Sequence, residues 1–191
     1  MQKQPLKSSS ALYIPNIIGY IRLLLLFIAS FYRGITFICL YICSVTLDYF
    51  DGKAARTFNQ ISLLGGALDM IIDRVGTALI CLKLESATPF LSVYVILDIF
   101  AHMIYFVGMA YTKVHHKAIS NNFILRFYYT PFILKIACSG SELYFICLYL
   151  IKEHILHLNM NILLLLHGIT IFKGFINIFH LYYGINTLAI Q

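Results

Sequence analysis

Long apolar segments recur along almost the whole chain and are separated by short polar breaks. A helix that crosses a bilayer needs roughly 20 apolar residues. Because these segments fill most of the 191 residues, we expect one all-α integral membrane domain over residues 1–191. Apolar types make up 60% of the chain and charged types only 12%, which excludes an ordinary soluble domain. The six transmembrane helices predicted by this pattern lie near residues 15–32, 35–50, 61–84, 89–112, 130–151 and 159–184.

The first apolar segment superficially resembles a secretory signal peptide. Its apolar core is interrupted by Pro15, Asn16, Gly19 and Arg22, and no small-residue cleavage site precedes the next segment. We therefore expect this segment to be retained as the first transmembrane helix.

The distribution of basic residues predicts the orientation of the chain. Six segments place both termini on one side, and cytoplasmic loops carry an excess of Lys and Arg. The N-terminus and the even-numbered loops hold seven of these residues, and the odd-numbered loops hold only Arg33, Lys83 and Lys152. We therefore expect both termini in the cytosol.

The short first two segments suit the thin bilayer of the endoplasmic reticulum. The formal charge of +6 then faces anionic headgroups and phosphate-bearing substrates, and we expect no nucleic-acid partner. The seven residues of the cytoplasmic set are Lys3, Lys7, Lys53, Arg56, Lys113, Lys117 and Arg126.

Four of the eight acidic residues, Asp48, Asp51, Asp69 and Asp73, lie within 26 positions of one another. A carboxylate at membrane depth is costly and usually functional, with a cationic partner. Residues three or four apart share one face of a helix, so antiparallel packing of the two segments brings all four together. Clusters with oxygen ligands only suit Mg²⁺ or Mn²⁺, and two-metal sites hold their ions about 3.5–4 Å apart. We predict that the four aspartates bind two such ions.

Small and basic residues between the aspartates suit a metal-bound diphosphate. Gly52 lets the backbone approach a phosphate closely, and Arg56 can bind a phosphate with two hydrogen bonds. The alternative interpretation is structural. In that case the first aspartate pair forms a turn and a helix cap, and the second pair forms ion pairs with Arg56 and Arg74.

The spacing over residues 48–73 resembles the complete signature of the CDP-alcohol phosphotransferase family. Its eight fixed positions are Asp48, Asp51, Gly52, Ala55, Arg56, Gly65, Asp69 and Asp73. This resemblance implies a six-helix, homodimeric membrane fold whose active site opens at the cytoplasmic surface. It also implies that Asp73 is the general base. It assigns metal binding to Asp48, Asp51, Asp69 and Asp73, and binding of the CDP-lipid to Gly52, Arg56 and Ser62.

Longer stretches are similar to the eukaryotic-type phosphatidylinositol synthases of that family. They lie at residues 14–20, 30–32, 47–60, 66–74, 97–102, 125–130 and 139–150. This resemblance implies that the substrates are CDP-diacylglycerol and myo-inositol and that CMP is released by in-line attack. One departure is Lys53, where relatives often have other residues.

Several alternatives remain open from the sequence. A related enzyme of the family makes phosphatidylglycerol phosphate or phosphatidylserine, and a cation or proton transporter also carries intramembrane carboxylates. A catalytically silent scaffold retaining the fold is a third alternative. The acceptor pocket is equally open, because its candidates, Arg126, Lys135, His102 and His180, each have an ordinary structural explanation.

Overall fold

The computed structural model describes residues 9–84, 89–112 and 123–189, and every regular element in those ranges is helical. The helices are α1 (Ile14–Ser30), α2 (Gly34–Thr57), α3 (Leu63–Lys83), α4 (Pro89–Thr112), α5 (Phe123–Tyr128), α6 (Pro131–Lys152) and α7 (Met160–Ala189). A short 3₁₀ helix, Ser10–Leu12, precedes α1. Within the described ranges, the helices α2, α4, α6 and α7 are long and apolar enough to cross a membrane, and α1 is a shorter apolar helix.

Each of the six predicted segments coincides with a helix, but two predicted ends are wrong. Helix α2 continues to Thr57 instead of ending at residue 50, because hydropathy detects only its apolar part. Strong helix formers between residues 54 and 56 extend it, and it ends where Asn59 adopts a positive φ of 52°. Helix α7 likewise runs to Ala189 rather than to residue 184. A seventh helix, α5, was not predicted.

The chain divides into two compact units, residues 1–76 and 77–191, with the boundary inside α3. In the first unit α1 packs against α2. Leu26 and Ala29 of α1 are buried, as are Phe37, Ile38 and Tyr41 of α2. The buried residues of α1 recur every three or four positions, so one face of this helix meets the protein.

In the second unit α7 packs against both α4 and α6, and the short α5 contacts α6 and α7. Leu125 and Tyr128 of α5 are buried in a cluster with Ala137 and Ile176. Helices α4 and α7 approach closely at Gly184, where an added Cβ would lie 2.8 Å from the backbone nitrogen of Tyr105. Small residues allow such approaches between membrane helices.

Some sequence-based predictions concern residues whose structure is not described. The basic residues Lys3, Lys7, Lys113 and Lys117 lie outside the described residues. The predicted orientation, and the expectation of a single membrane domain, therefore stay predictions.

Candidate active site

The four aspartates lie on two consecutive helices. Asp48 and Asp51 are one turn apart near the end of α2, and Asp69 and Asp73 are one turn apart on α3. One carboxylate oxygen from each of the first three lies within 4.8 Å of the other two. These three side chains are therefore close enough to share one cation.

The guanidinium of Arg22, on α1, contacts all four aspartates. The Arg22 side chain is only 3% exposed, so it reaches this position from within the packed helices. Nη1 lies 2.7 Å from Oδ1 of Asp48, 2.6 Å from Oδ2 of Asp51 and 3.1 Å from Oδ1 of Asp69. Nη2 lies 2.7 Å from Oδ1 of Asp73. One positive charge thus lies where the oxygens of four carboxylates converge.

The net charge and the donor atoms of the site show whether it suits added cations. Four ionised carboxylates and one guanidinium sum to a charge of −3, and such an excess at short range is unfavourable without further positive charge. The donor set consists of oxygens alone, which is the set that Mg²⁺ and Mn²⁺ prefer. The residues therefore fit divalent metal ions.

The position of Arg22 is set by its helix and by α2. It lies on the buried face of α1, and the hydroxyl of buried Ser44 donates a hydrogen bond to its backbone oxygen at 3.2 Å. Sequence reasoning treated Arg22 only as an interruption of an apolar segment. A charged residue at membrane depth was the signal that could have identified it.

The structural alternative for the aspartates is only partly supported. Asp48 and Asp51 lie inside α2, so they form neither a turn nor a cap, and that part of the alternative is wrong. Arg74 does approach Asp73, with 3.8 Å between Nη2 and Oδ2. That separation is longer than the 2.7 Å contact from Arg22, which is the closer cationic partner of this carboxylate.

The residues predicted to bind the CDP-lipid fall into two places. Gly52 and Arg56 adjoin on α2, where a Cβ on Gly52 would lie 3.5 Å from Nη1 of the exposed Arg56. Ser62 instead precedes α3, and its Oγ accepts a hydrogen bond from the backbone N–H of Gly65 at 3.0 Å. The structure thus gives Ser62 the role of a helix N-cap.

Comparison with known proteins adds evidence independent of this geometry. The sequence profile of the CDP-alcohol phosphatidyltransferases matches residues 12–175. The chain belongs to this family. The matched range includes the α1 arginine and all four aspartates that it contacts.

Several curated relatives of this phosphatidyltransferase are named for the same activity. The CDP-diacylglycerol–inositol 3-phosphatidyltransferase of Drosophila melanogaster is 33% identical over 73% of this chain and 66% of its own length. The protein of the same name from Homo sapiens is 35% identical, over 73% of this chain and 70% of its own. A probable CDP-diacylglycerol–inositol 3-phosphatidyltransferase 2 of Arabidopsis thaliana is 36% identical, over 84% and 76%. No solved structure matches the chain significantly.

Proposed function

We propose that this chain is a phosphatidylinositol synthase, which transfers the phosphatidyl group of CDP-diacylglycerol to myo-inositol and releases CMP. The observation that carries the proposal is the convergence of four carboxylates around one cationic group. The choice of inositol is supported by the names of relatives at 33% to 36% identity.

The four aspartates are the proposed ligands of two Mg²⁺ or Mn²⁺ ions. Asp48, Asp51 and Asp69 offer three oxygens within 4.8 Å of one another, and Asp73, one turn from Asp69, contacts the same guanidinium as these three. Bound divalent ions would offset the charge of the diphosphate and stabilise the charge that develops on the departing CMP.

Three further residues of the site are assigned to binding of the donor. Arg56 is exposed beside Gly52, and we assign to this pair the binding of a donor phosphate. Ser62 is the third proposed donor-binding residue, and its position before α3 leaves the hydroxyl hydrogen free to be donated.

Asp73 is the proposed general base. Its Oδ1 is fixed by Arg22, and it accepts the proton of the inositol hydroxyl as that oxygen attacks the phosphorus next to the diacylglycerol. The bond from this phosphorus to the CMP oxygen breaks in the same step. A carboxylate is a weak base towards an alcohol, so proton transfer accompanies attack rather than preceding it.

Assembly and location are also part of the proposal. The 17 residues of α1 suit the thin bilayer of the endoplasmic reticulum, and the bias of basic residues supports an active site and termini that face the cytosol. A homodimer is proposed from the family resemblance alone.

Purified protein in detergent tests the function directly. The protein is mixed with CDP-diacylglycerol, Mn²⁺ or Mg²⁺ and one labelled acceptor at a time: inositol, serine or glycerol 3-phosphate. We expect inositol alone to enter lipid, with one CMP released per lipid formed, and we expect a chelator to stop the reaction until metal is restored. Incorporation of serine or glycerol 3-phosphate instead would reassign the enzyme within its family. Release of no CMP with any acceptor would exclude phosphatidyl transfer.

A further inference from the structure

The contacts of Arg22 with the four aspartates need only one oxygen of each carboxylate. These oxygens are Oδ1 of Asp48, Oδ2 of Asp51, Oδ1 of Asp69 and Oδ1 of Asp73. A carboxylate has two oxygens with about four lone-pair sites. The same aspartates can therefore contact the guanidinium and metal ions together.

The position of Arg22 is strongly constrained. Its side chain is 3% exposed, and its backbone oxygen accepts the hydrogen bond from Ser44. Among the residues that the structure describes, the buried Nε of Arg22 has no hydrogen-bond partner, so the guanidinium is oriented through Nη1 and Nη2. Separating this buried charge from the aspartates would leave it unpaired, which is strongly unfavourable. We therefore expect the positive charge of Arg22 to stay beside the aspartates when cations are added.

The aspartates are accessible where Arg22 is not. The side chains of Asp48, Asp69 and Asp73 are 44%, 51% and 36% exposed. Metal ions and a donor diphosphate can therefore reach these carboxylates from the solvent, whereas Arg22 contacts them from the protein interior. The arginine is thus a fixed positive charge behind the proposed metal ligands.

The charge of Arg22 has its largest effect on a second metal ion. Carboxylates that bind a metal are ionised, so the four aspartates and Arg22 together carry a charge of −3. One divalent ion reduces this charge to −1, and a second ion makes the site positive beside a buried guanidinium. Arg74, whose Nη2 lies 3.8 Å from Oδ2 of Asp73, opposes the second ion further. A diphosphate carries negative charge on both phosphates and offsets this excess.

We infer that Arg22 makes the binding of a second metal ion depend on the diphosphate of the donor, an inference that rests on the proposed function. One ion binds to the aspartates without donor. The second ion and the CDP-lipid bind together, so the full set of positive charges forms only when the phosphorus to be attacked is in place. Arg22 acts through the carboxylates and the ions, as a positioning residue.

Equilibrium binding of Mn²⁺ tests this role without turnover. Purified protein in detergent is titrated with Mn²⁺, with and without CDP-diacylglycerol and always without inositol. Free Mn²⁺ is measured by electron paramagnetic resonance, which gives the number of bound ions per chain. Micelles that contain the donor but no protein supply the background.

Two variants of Arg22 and one matched control are compared with the wild type. Arg22→Met removes the charge, whereas Arg22→Lys keeps the charge and loses the planar fork of donors. The control, Arg33→Met, removes an exposed charge just before α2. Arg33 lies about 22 Å along the helix axis from Asp48, at a rise of about 1.5 Å per residue.

We expect the wild type, Arg22→Lys and Arg33→Met to bind one Mn²⁺ per chain without donor and two with it. Arg22→Met should bind the second ion without donor, about tenfold or more tightly than the wild type, because a nearby positive charge no longer opposes it. If Arg22→Met does not fold, Arg22→Gln also removes the charge and takes its place.

A wild type that binds two ions without donor overturns the inference, and so does a charge-removing variant whose second ion still requires the donor. Both results leave the proposed function intact, provided that labelled inositol still enters lipid. Binding of no Mn²⁺ in either condition overturns the proposed metal site together with this role of Arg22. If the wild type releases no CMP with any acceptor, the proposed function fails, and the role of Arg22 fails with it.

Discussion

Arg22 is the residue whose side chain joins the four carboxylates. It supplies one buried positive charge within 3.1 Å of each of them. Its removal leaves acidic groups that repel one another at close range, and protein stability then depends on added cations.

We predict that Arg22→Met lowers the stability of the chelator-treated protein by about 2 kcal/mol, or roughly 5 °C in Tm. Saturating Mn²⁺ should restore most of this loss, because the ions replace the missing positive charge. Thermal unfolding in detergent with chelator and with Mn²⁺ measures both effects. Arg126→Met is the control, since Arg126 is exposed near the end of α5. Equal Tm values for Arg22→Met and wild type in chelator would disprove this role.

The role of Asp73 is tested by Asp73→Asn, which keeps the shape of the side chain and removes the base. We expect kcat to fall by about 10²- to 10⁴-fold, the usual contribution of a general base. Binding of CDP-diacylglycerol should remain measurable, because Gly52, Arg56 and Ser62 are untouched and the other three proposed metal ligands keep their charge. Glu153→Gln, which alters an acidic residue next to the end of α6, is the matched control. Normal turnover by Asp73→Asn would remove Asp73 from the base role.

At this scale the sequence revealed the aspartates but not their partner. Four carboxylates in a short window are a local signal, and their spacing on two helices made convergence predictable. Arg22 lies 26 positions before Asp48 and reaches it only because α1 packs on α2. For Ser62, the resemblance implied a role in binding the donor but did not reveal that Ser62 caps α3 by accepting a hydrogen bond.

At the scale of the helices, the lengths of the apolar segments located all six long helices. They did not reveal the polar ends of these helices or the short helix α5. Residues 51–57 are too polar for a hydropathy window, yet they continue α2. Helix α5 has only six residues and is held by burial of Leu125 and Tyr128 against neighbouring helices. Tertiary packing, which has no local signature, decides such elements.

The contact between α4 and α7 gives a prediction for whole helices. Gly184→Ala would place a Cβ 2.8 Å from the backbone nitrogen of Tyr105, so the two helices must separate. We expect a loss of stability of about 1–3 kcal/mol. Gly168→Ala on the same helix is the matched control, because its Cβ would meet nothing within 4 Å, and the better helix propensity of alanine should stabilise it slightly. A Tm of Gly184→Ala equal to or above that of wild type would contradict this close packing.

At the scale of the molecule, contacts between distant helices escaped prediction because they have no local motif. Asp98 and Asn177 are 79 positions apart, and each alone is an ordinary polar interruption of an apolar helix. His180 was considered from the sequence, but nothing in one sequence pairs it with Tyr129. The aspartate motif lies within one window, whereas these contacts form only after two distant helices pack together.

The orientation of the chain in the membrane gives the last prediction. The bias of basic residues places the connection between α2 and α3 in the cytosol and the connection between α6 and α7 on the opposite side. Single cysteines at the exposed positions Thr57 and His157, in a protein whose five natural cysteines are replaced, report on these two connections. In sealed microsomes with the cytosolic face outward, an impermeant maleimide should label Thr57→Cys at once and His157→Cys only after permeabilisation. The reverse pattern would place the aspartates on the lumenal side, where the basic residues of the cytoplasmic set would have no anionic leaflet to meet.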